Sequence, residues 1–187
     1  MTHFLAAWAA AGAAGLDRRD AALVAAAGTL PDADGIGIVA DLLTRGGERP
    51  SEWWGVFHHT FGHGVLFAIL AAAVVAAFAH RRRRAALLAF AVVHLHLLGD
   101  LVGARGPEGE HWAIPYLWPL PNSPLLVWDG QWALNAWPNF AITVALIAGT
   151  ILLARRDGFS PVGILSRRAD EAFVAALRRR FGDPSGG

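Results

Sequence analysis

Arg81-Arg82-Arg83-Arg84, followed by Ala85-Ala86-Leu87-Leu88-Ala89-Phe90-Ala91-Val92-Val93-His94-Leu95-His96-Leu97-Leu98-Gly99-Asp100-Leu101-Val102, is the stretch that decides how this chain folds. Its apolar run reaches the length a helix needs to cross a hydrocarbon core, about 17 to 25 residues. Four arginines stand at one end and His94, His96 and Asp100 fall in the other half. Arginines abutting an apolar run mark a cytoplasmic flank. An aspartate inside such a run is costly and points to a functional partner nearby.

Working outward, Phe61–Ala79 and Pro138–Ala154 are two further candidate spans, the second opening on a proline suited to a first helical turn. Phe4–Gly15 and Ala21–Leu30 are alanine-rich but short, and Leu16-Asp17-Arg18-Arg19-Asp20 separates them. They read as a helical hairpin packed on the bundle, with alanine and glycine permitting close approach. Pro31 should end the second of them, with Gly35 and Gly37 letting a loop turn away. Ala169, Phe173, Val174, Leu177 and Phe181 recur at helical spacing among arginines, so Ser166–Phe181 reads as a basic amphipathic helix on the inner membrane surface. The expectation is an all-α membrane bundle of three full spans, a short N-terminal hairpin and this surface helix. Residues 1–165 form the embedded domain, and 166–187 carry the surface helix and a tail, 183–187, expected to be disordered.

Composition agrees. The chain is 55% hydrophobic and 17% charged, whereas soluble domains carry about 25% charged residues. It has no cysteine, so disulfides and thiolate metal sites are excluded and any metal must be held by nitrogen and oxygen. The start, Met1-Thr2-His3-Phe4, lacks a basic flank, so no cleaved signal peptide is expected. All 16 basic residues are arginines. With Arg81–Arg84 inside, alternating spans put 13 of them on the cytoplasmic side, leaving Arg45, Arg49 and Arg105 outside. Seven of the eight tryptophans fall in the outer segments, as an interfacial belt would. The expected location is the inner (cytoplasmic) membrane, multi-pass, with the C-terminus cytoplasmic.

On that topology four separate segments deliver histidines and aspartates to the non-cytoplasmic end. They are His3, the pair Asp32 and Asp34, the group His58, His59 and His63, and the pair His96 and Asp100. His96 and Asp100 are four apart and share a helix face, as do His59 and His63. Each feature alone has a bland reading: a hydrogen-bonded packing histidine, a turn, or a structural His–Asp pair. Jointly they favour a metal site. Neutral imidazoles and carboxylates suit zinc first, or manganese or iron, as one or two ions. His94 is assigned to packing or ligand support.

At these residues the chain resembles the YdjM-like family of membrane-bound, metal-dependent hydrolases. The resemblance is carried by His3, by Leu30-Pro31-Asp32-Ala33-Asp34, by His58-His59-Thr60-Phe61-Gly62-His63-Gly64, by His96-Leu97-Leu98-Gly99-Asp100, and by Leu117-Trp118-Pro119. It implies a small helical membrane fold, with metal ligands drawn from His3, Asp32, Asp34, His58, His63, His96 and Asp100. Three positions depart from the family pattern: His59, Gly62 and Gly64 stand where the family has Arg, Thr and Ser. An arginine there would grip a phosphate or carboxylate.

The leading expectation is metal-assisted hydrolysis at the outer interface, with a non-ligating carboxylate, Asp32, Asp34 or Asp100, or else His59, in acid–base roles. The loop from Gly103 to Trp137 would act as a lid, and the substrate would be a phosphoester or lipid-derived molecule. Its surroundings are the lipid bilayer; no nucleic-acid partner is expected. One alternative is a metal or proton handler, but Ala71–Ala79 and Ala85–Val93 carry no ionisable group to continue a relay. Another is a regulatory partner protein docking through Ser166–Phe181.

Overall fold

The computed structural model describes residues 1–58, 60–106 and 109–184, with the backbone but not the side chain of Asp34. Its helices are α1 (Thr2–Ala13), α2 (Arg18–Ala27), α3 (Ile38–Thr44), α4 (Trp53–Phe57), α5 (Val65–Phe78), α6 (Arg82–Gly103), α7 (Trp137–Asp157) and α8 (Arg167–Phe181). Two 3-10 segments join them, η1 (Leu30–Gly37) and η2 (Pro161–Ile164). Among the described residues there is no strand, only isolated bridges such as Ile114 to Leu126.

Alanine sets the packing. Ala7, Ala11, Ala21, Ala25, Ala85 and Ala89 are buried in one cluster with Trp8, Val24 and Val92. Small side chains let the helix backbones approach closely. At Gly28 a Cβ would lie 2.7 Å from the Ala7 methyl, so the α1–α2 crossing requires glycine there. α1 packs on α2, α6 and α7, while α5 packs mainly on α6. The outward faces are apolar: Leu66, Ile69, Leu70 and Val74 on α5, Leu87 and Leu98 on α6, and Phe140, Val144 and Leu152 on α7 are exposed. Such a continuous belt fits hydrocarbon rather than water.

Two helices, α6 at 22 residues and α7 at 21, are long and apolar enough to span. The third expected span is shorter than the sequence suggested. α5 has 14 residues, about 21 Å at the helical rise, against a core of about 30 Å. Its helix starts at Val65 because the preceding loop is claimed by other contacts. Val65 N–H donates to the Tyr116 carbonyl at 2.9 Å, and a Cβ on Gly64 would meet that same oxygen at 2.9 Å. α2 with the η1–α3 segment, bent by 56°, reaches spanning length only if both arms are counted together.

A second difference lies after α2. Pro31 does not open an irregular loop; it occupies the first turn of η1, where its missing N–H costs nothing. The amphipathic reading of residues 166–181 agrees with α8, which Ser166 caps through its hydroxyl at Ala169 N–H. Of the tail expected to be disordered, 185–187 lie outside the described residues.

The arginines gather at the end of the bundle where α1 terminates. Arg81 donates to the Gly15 carbonyl, Arg84 to that of Ala14, and Arg156 to that of Gly12. Cations at a helix C-terminus satisfy its free carbonyls and complement the helix dipole. Arg18 pairs with the buried Asp170 at 2.9 Å, tying α8 to the start of α2.

Candidate metal centre

His3 lies in the first turn of α1, at the opposite end from those arginines. Its ring stacks on that of His96 with centroids 3.8 Å apart. Gly99 makes the room, since a Cβ there would lie 3.0 Å from His3 Cε1. His96 and Asp100, one turn apart on α6, are both buried. Asp32 enters from the first turn of η1, and His63, fully buried, from the loop before α5.

These five residues meet. His96 Nε2 is 3.1 Å from Asp100 Oδ2 and 3.3 Å from Asp32 Oδ1. His63 Nε2 is 3.3 Å from Asp100 Oδ2 and 3.9 Å from Asp32 Oδ1. His3 Nε2 reaches the other Asp100 oxygen at 3.2 Å. One donor atom each from Asp32, His63, His96 and Asp100 can be chosen so that all lie within 4.8 Å of one another.

The hydrogen bonding of His96 tests whether a cation fits. Its Nδ1 stands 2.9 Å from the Gly28 carbonyl, which can only accept, so Nδ1 carries the proton. In the neutral ring Nε2 is then a bare lone pair, aimed at two carboxylate oxygens. His96 Nε2 and Asp100 Oδ2 are buried and form no hydrogen bond. Lone pairs facing one another in a low-dielectric interior repel unless positive charge sits between them. A ligating imidazole that donates its other N–H to a backbone carbonyl is the usual arrangement at metal centres. Two carboxylates among neutral imidazoles carry a formal charge of −2, which one divalent cation cancels. The donor set fits.

The rest of the expected ligands divide. His58 lies beside the cluster, its ring 6.0 Å from that of His63 and stacked on Trp54 at 3.8 Å. It lines an open mouth together with His3, Asp32, Asp100 and Trp112. The Asp34 side chain and the whole of His59 lie outside the described residues. His94 points elsewhere: Nδ1 donates to the Phe90 carbonyl and Nε2 accepts from the Tyr116 hydroxyl. His80 sits at the opposite end against Asp17, 2.9 Å away.

Several supporting residues escaped the sequence reading. Gln131, 2% exposed, donates to the Asp100 carbonyl at 2.7 Å and accepts from Trp112 N–H. Asn139 donates to the Gly103 carbonyl at 2.8 Å. Asn139 satisfies a carbonyl that the end of α6 leaves free, and Gln131 adds a second donor to the Asp100 carbonyl, which Ala104 N–H also reaches at 3.2 Å, so the two fix the turn that bears Asp100. The stretch after α6, expected as a lid, is thus fastened to the helix end. Asp41 accepts from Trp53 N–H and Trp54 N–H at 2.8 Å each, which holds α4 in front of the cluster. The only sequence signal for these three was a polar residue in an apolar or aromatic setting.

Gly62 faces backbone that cannot swing away, since a Cβ there would run into Pro31 Cα. Gly62→Ala should push the His63 loop off the Asp32 turn, at a cost of about 1–3 kcal/mol for overpacking. Elemental analysis should show depleted bound metal while circular dichroism shows the helices retained. Full metal content would mean that the two segments need not touch.

The family model for the YdjM inner membrane protein matches residues 1–176. No curated protein and no solved structure matches the chain.

Proposed function

The chain belongs to the YdjM inner membrane protein family, and from that membership and the converging donors we propose that it is a membrane-bound, metal-dependent hydrolase. The observation that carries the reading is the bare Nε2 of His96 facing Asp32 and Asp100. His63, His96 and Asp100 would hold one divalent cation, zinc in first place, with Asp32 on its exposed side and His3 against the second Asp100 oxygen, on the non-cytoplasmic side of the membrane. When bound, such a cation acidifies a water to a pKa of about 7 and polarises the scissile group.

The chain's own groups do the rest. Asp100, its side chain 8% exposed, anchors the three imidazoles. Asp32, its side chain 40% exposed, faces the mouth and takes the proton of the attacking water. The water oxygen bonds to the phosphorus or carbonyl centre, the bond to the leaving oxygen breaks, and Asp32 returns the proton it took to that oxygen as it departs. His58 and Trp112 border the mouth and orient the substrate, a phosphoester or lipid-derived molecule.

The test separates holding a metal from using it. Purified protein should carry zinc by elemental analysis and cleave a member of a phosphoester, ester and amide panel. His63→Ala should lose both. Asp32→Asn should keep the metal and lose at least about 100-fold in kcat, the scale of general-base catalysis. Full zinc with no turnover on any panel member would leave a metal-binding protein and remove the hydrolase.

A further inference from the structure

A second opening reaches the same centre from the side. Between α1, α6 and α7 lies a cleft of about 520 Å³ whose polar lining includes His3, His96 and Asp100. Away from them its walls are apolar, formed by Ala6, Val92, Leu95, Leu98, Phe140 and Leu146. It follows α6 from Val92 to Gly103, about 16 Å at the helical rise. His96 and Asp100 lie within that length, and the apolar wall continues past them to Val92 on α6 and Leu146 on α7. Leu95, Leu98 and Phe140 are exposed on the belt that fits lipid, so the cleft opens sideways between the two membrane-length helices. Thr2 and Thr143 are hydrogen-bonded across the gap at 2.7 Å.

The open mouth and this cleft share Thr2, His3, Asp100 and Leu134. One site therefore faces water through aromatic and charged groups and faces hydrocarbon through leucine and phenylalanine. A gap of this size with mainly apolar walls, opening between lipid-facing helices, suits a hydrocarbon chain. A substrate wholly dissolved in water would need only the mouth.

We propose that the substrate is a membrane amphiphile that enters laterally from the nearer half of the bilayer. One hydrocarbon chain lies in the α1–α6–α7 cleft, and the anionic headgroup sits at the Asp32–His63–His96–Asp100 cluster. The inference rests on the hydrolase reading above. It adds where the scissile bond must be: at the junction between chain and headgroup, because the cleft meets the cluster there.

The experiment uses the full chain, zinc-loaded, in lipid nanodiscs, with ethylphosphonate and octylphosphonate as non-hydrolysable probes read by titration calorimetry. The octyl probe should bind at least about tenfold more tightly than the ethyl probe, because the longer chain gains apolar burial. Ala6→Phe and Leu146→Trp, which fill the cleft without touching the cluster, should shrink that ratio to about threefold or less. Their zinc content and ethylphosphonate affinity should be unchanged. A variant that loses zinc is discarded as misfolded, and the other decides. Equal affinity for the two probes in the unsubstituted protein overturns the proposal and leaves the hydrolase reading standing. So does an octyl preference that survives both fillings, since partition into the nanodisc would account for it. If the protein holds no zinc and binds neither probe, the hydrolase reading falls and takes this inference with it.

Discussion

Asp100→Ala is expected to empty the metal centre, reducing bound zinc from near one per chain to background. Asp100 is the carboxylate that faces all three imidazoles of the cluster. Its two oxygens face His3 at 3.2 Å, His63 at 3.3 Å and His96 at 3.1 Å. Without it the formal charge of the cluster falls to −1, carried by the half-exposed Asp32 alone, and the buried imidazoles lose their common anchor. Metal bound only by the folded state stabilises it by mass action, about 4 kcal/mol at a free concentration 1,000 times the dissociation constant. EDTA should therefore lower the melting temperature of the unsubstituted protein and leave that of Asp100→Ala nearly unchanged. Asp100→Asn sharpens the comparison, since it keeps the shape and removes the charge. If the proton on a histidine were the only cation the cluster needs, EDTA would change neither protein and zinc would be absent from both. That result, or equal zinc in all three, removes the centre.

How far the sequence could be read follows from which interactions are local. Ala85–Val102 announces α6 through length and the charge before it, and the observed helix, Arg82–Gly103, extends three residues further at its start and one at its end. α7 was equally legible, because Pro138 marks its first turn. His96 and Asp100 were found as a pair because four residues on a helix fix their common face. Other features depended on partners far along the chain. The start of α5 at Val65 is set by Tyr116, 51 residues later, and no periodicity in Phe61–Ala79 reveals it. The protonated nitrogen of His96 is set by the carbonyl of Gly28, which any residue could supply. Gln131 and Asn139 act on the carbonyls of Asp100 and Gly103, atoms that sequence cannot single out. The lateral cleft was invisible for the same reason. It is a space left by three helices, and only their mutual packing defines it.

Asp20→Ala should produce the largest loss of stability, and at the end of the molecule farthest from the metal. Asp20 is fully buried. Its two oxygens accept from His80 N–H and Arg81 N–H at 2.8 Å each, the donors of the turn between α5 and α6. Asp17 caps α2 by accepting from Asp20 N–H, and its other oxygen meets His80 Nδ1 at 2.9 Å. Burial pushes the Asp17 carboxyl up, but the Asp20 N–H and His80 outweigh it and hold the group below its usual value. A carboxylate lowered on folding contributes stability above its unfolded pKa and loses it as pH falls through the folded value. The clasp is therefore intact at neutral pH and weakens only in acid. Alanine at 20 takes the acceptor from two part-buried backbone donors, and hydrogen bonds to a charged group are worth about 1.5–3 kcal/mol each, so a loss of roughly 2–5 kcal/mol is expected. Asp17, Asp20 and His80 also lie close enough to hold a metal, yet their donors are already engaged. His80 Nε2 accepts from the Arg19 guanidinium at 3.1 Å, and both Asp20 oxygens are taken by N–H groups. Asp20→Ala should accordingly lower the melting temperature in thermal denaturation while zinc per folded chain stays constant. A variant with an unchanged melting temperature and less zinc would move the metal to this end of the bundle.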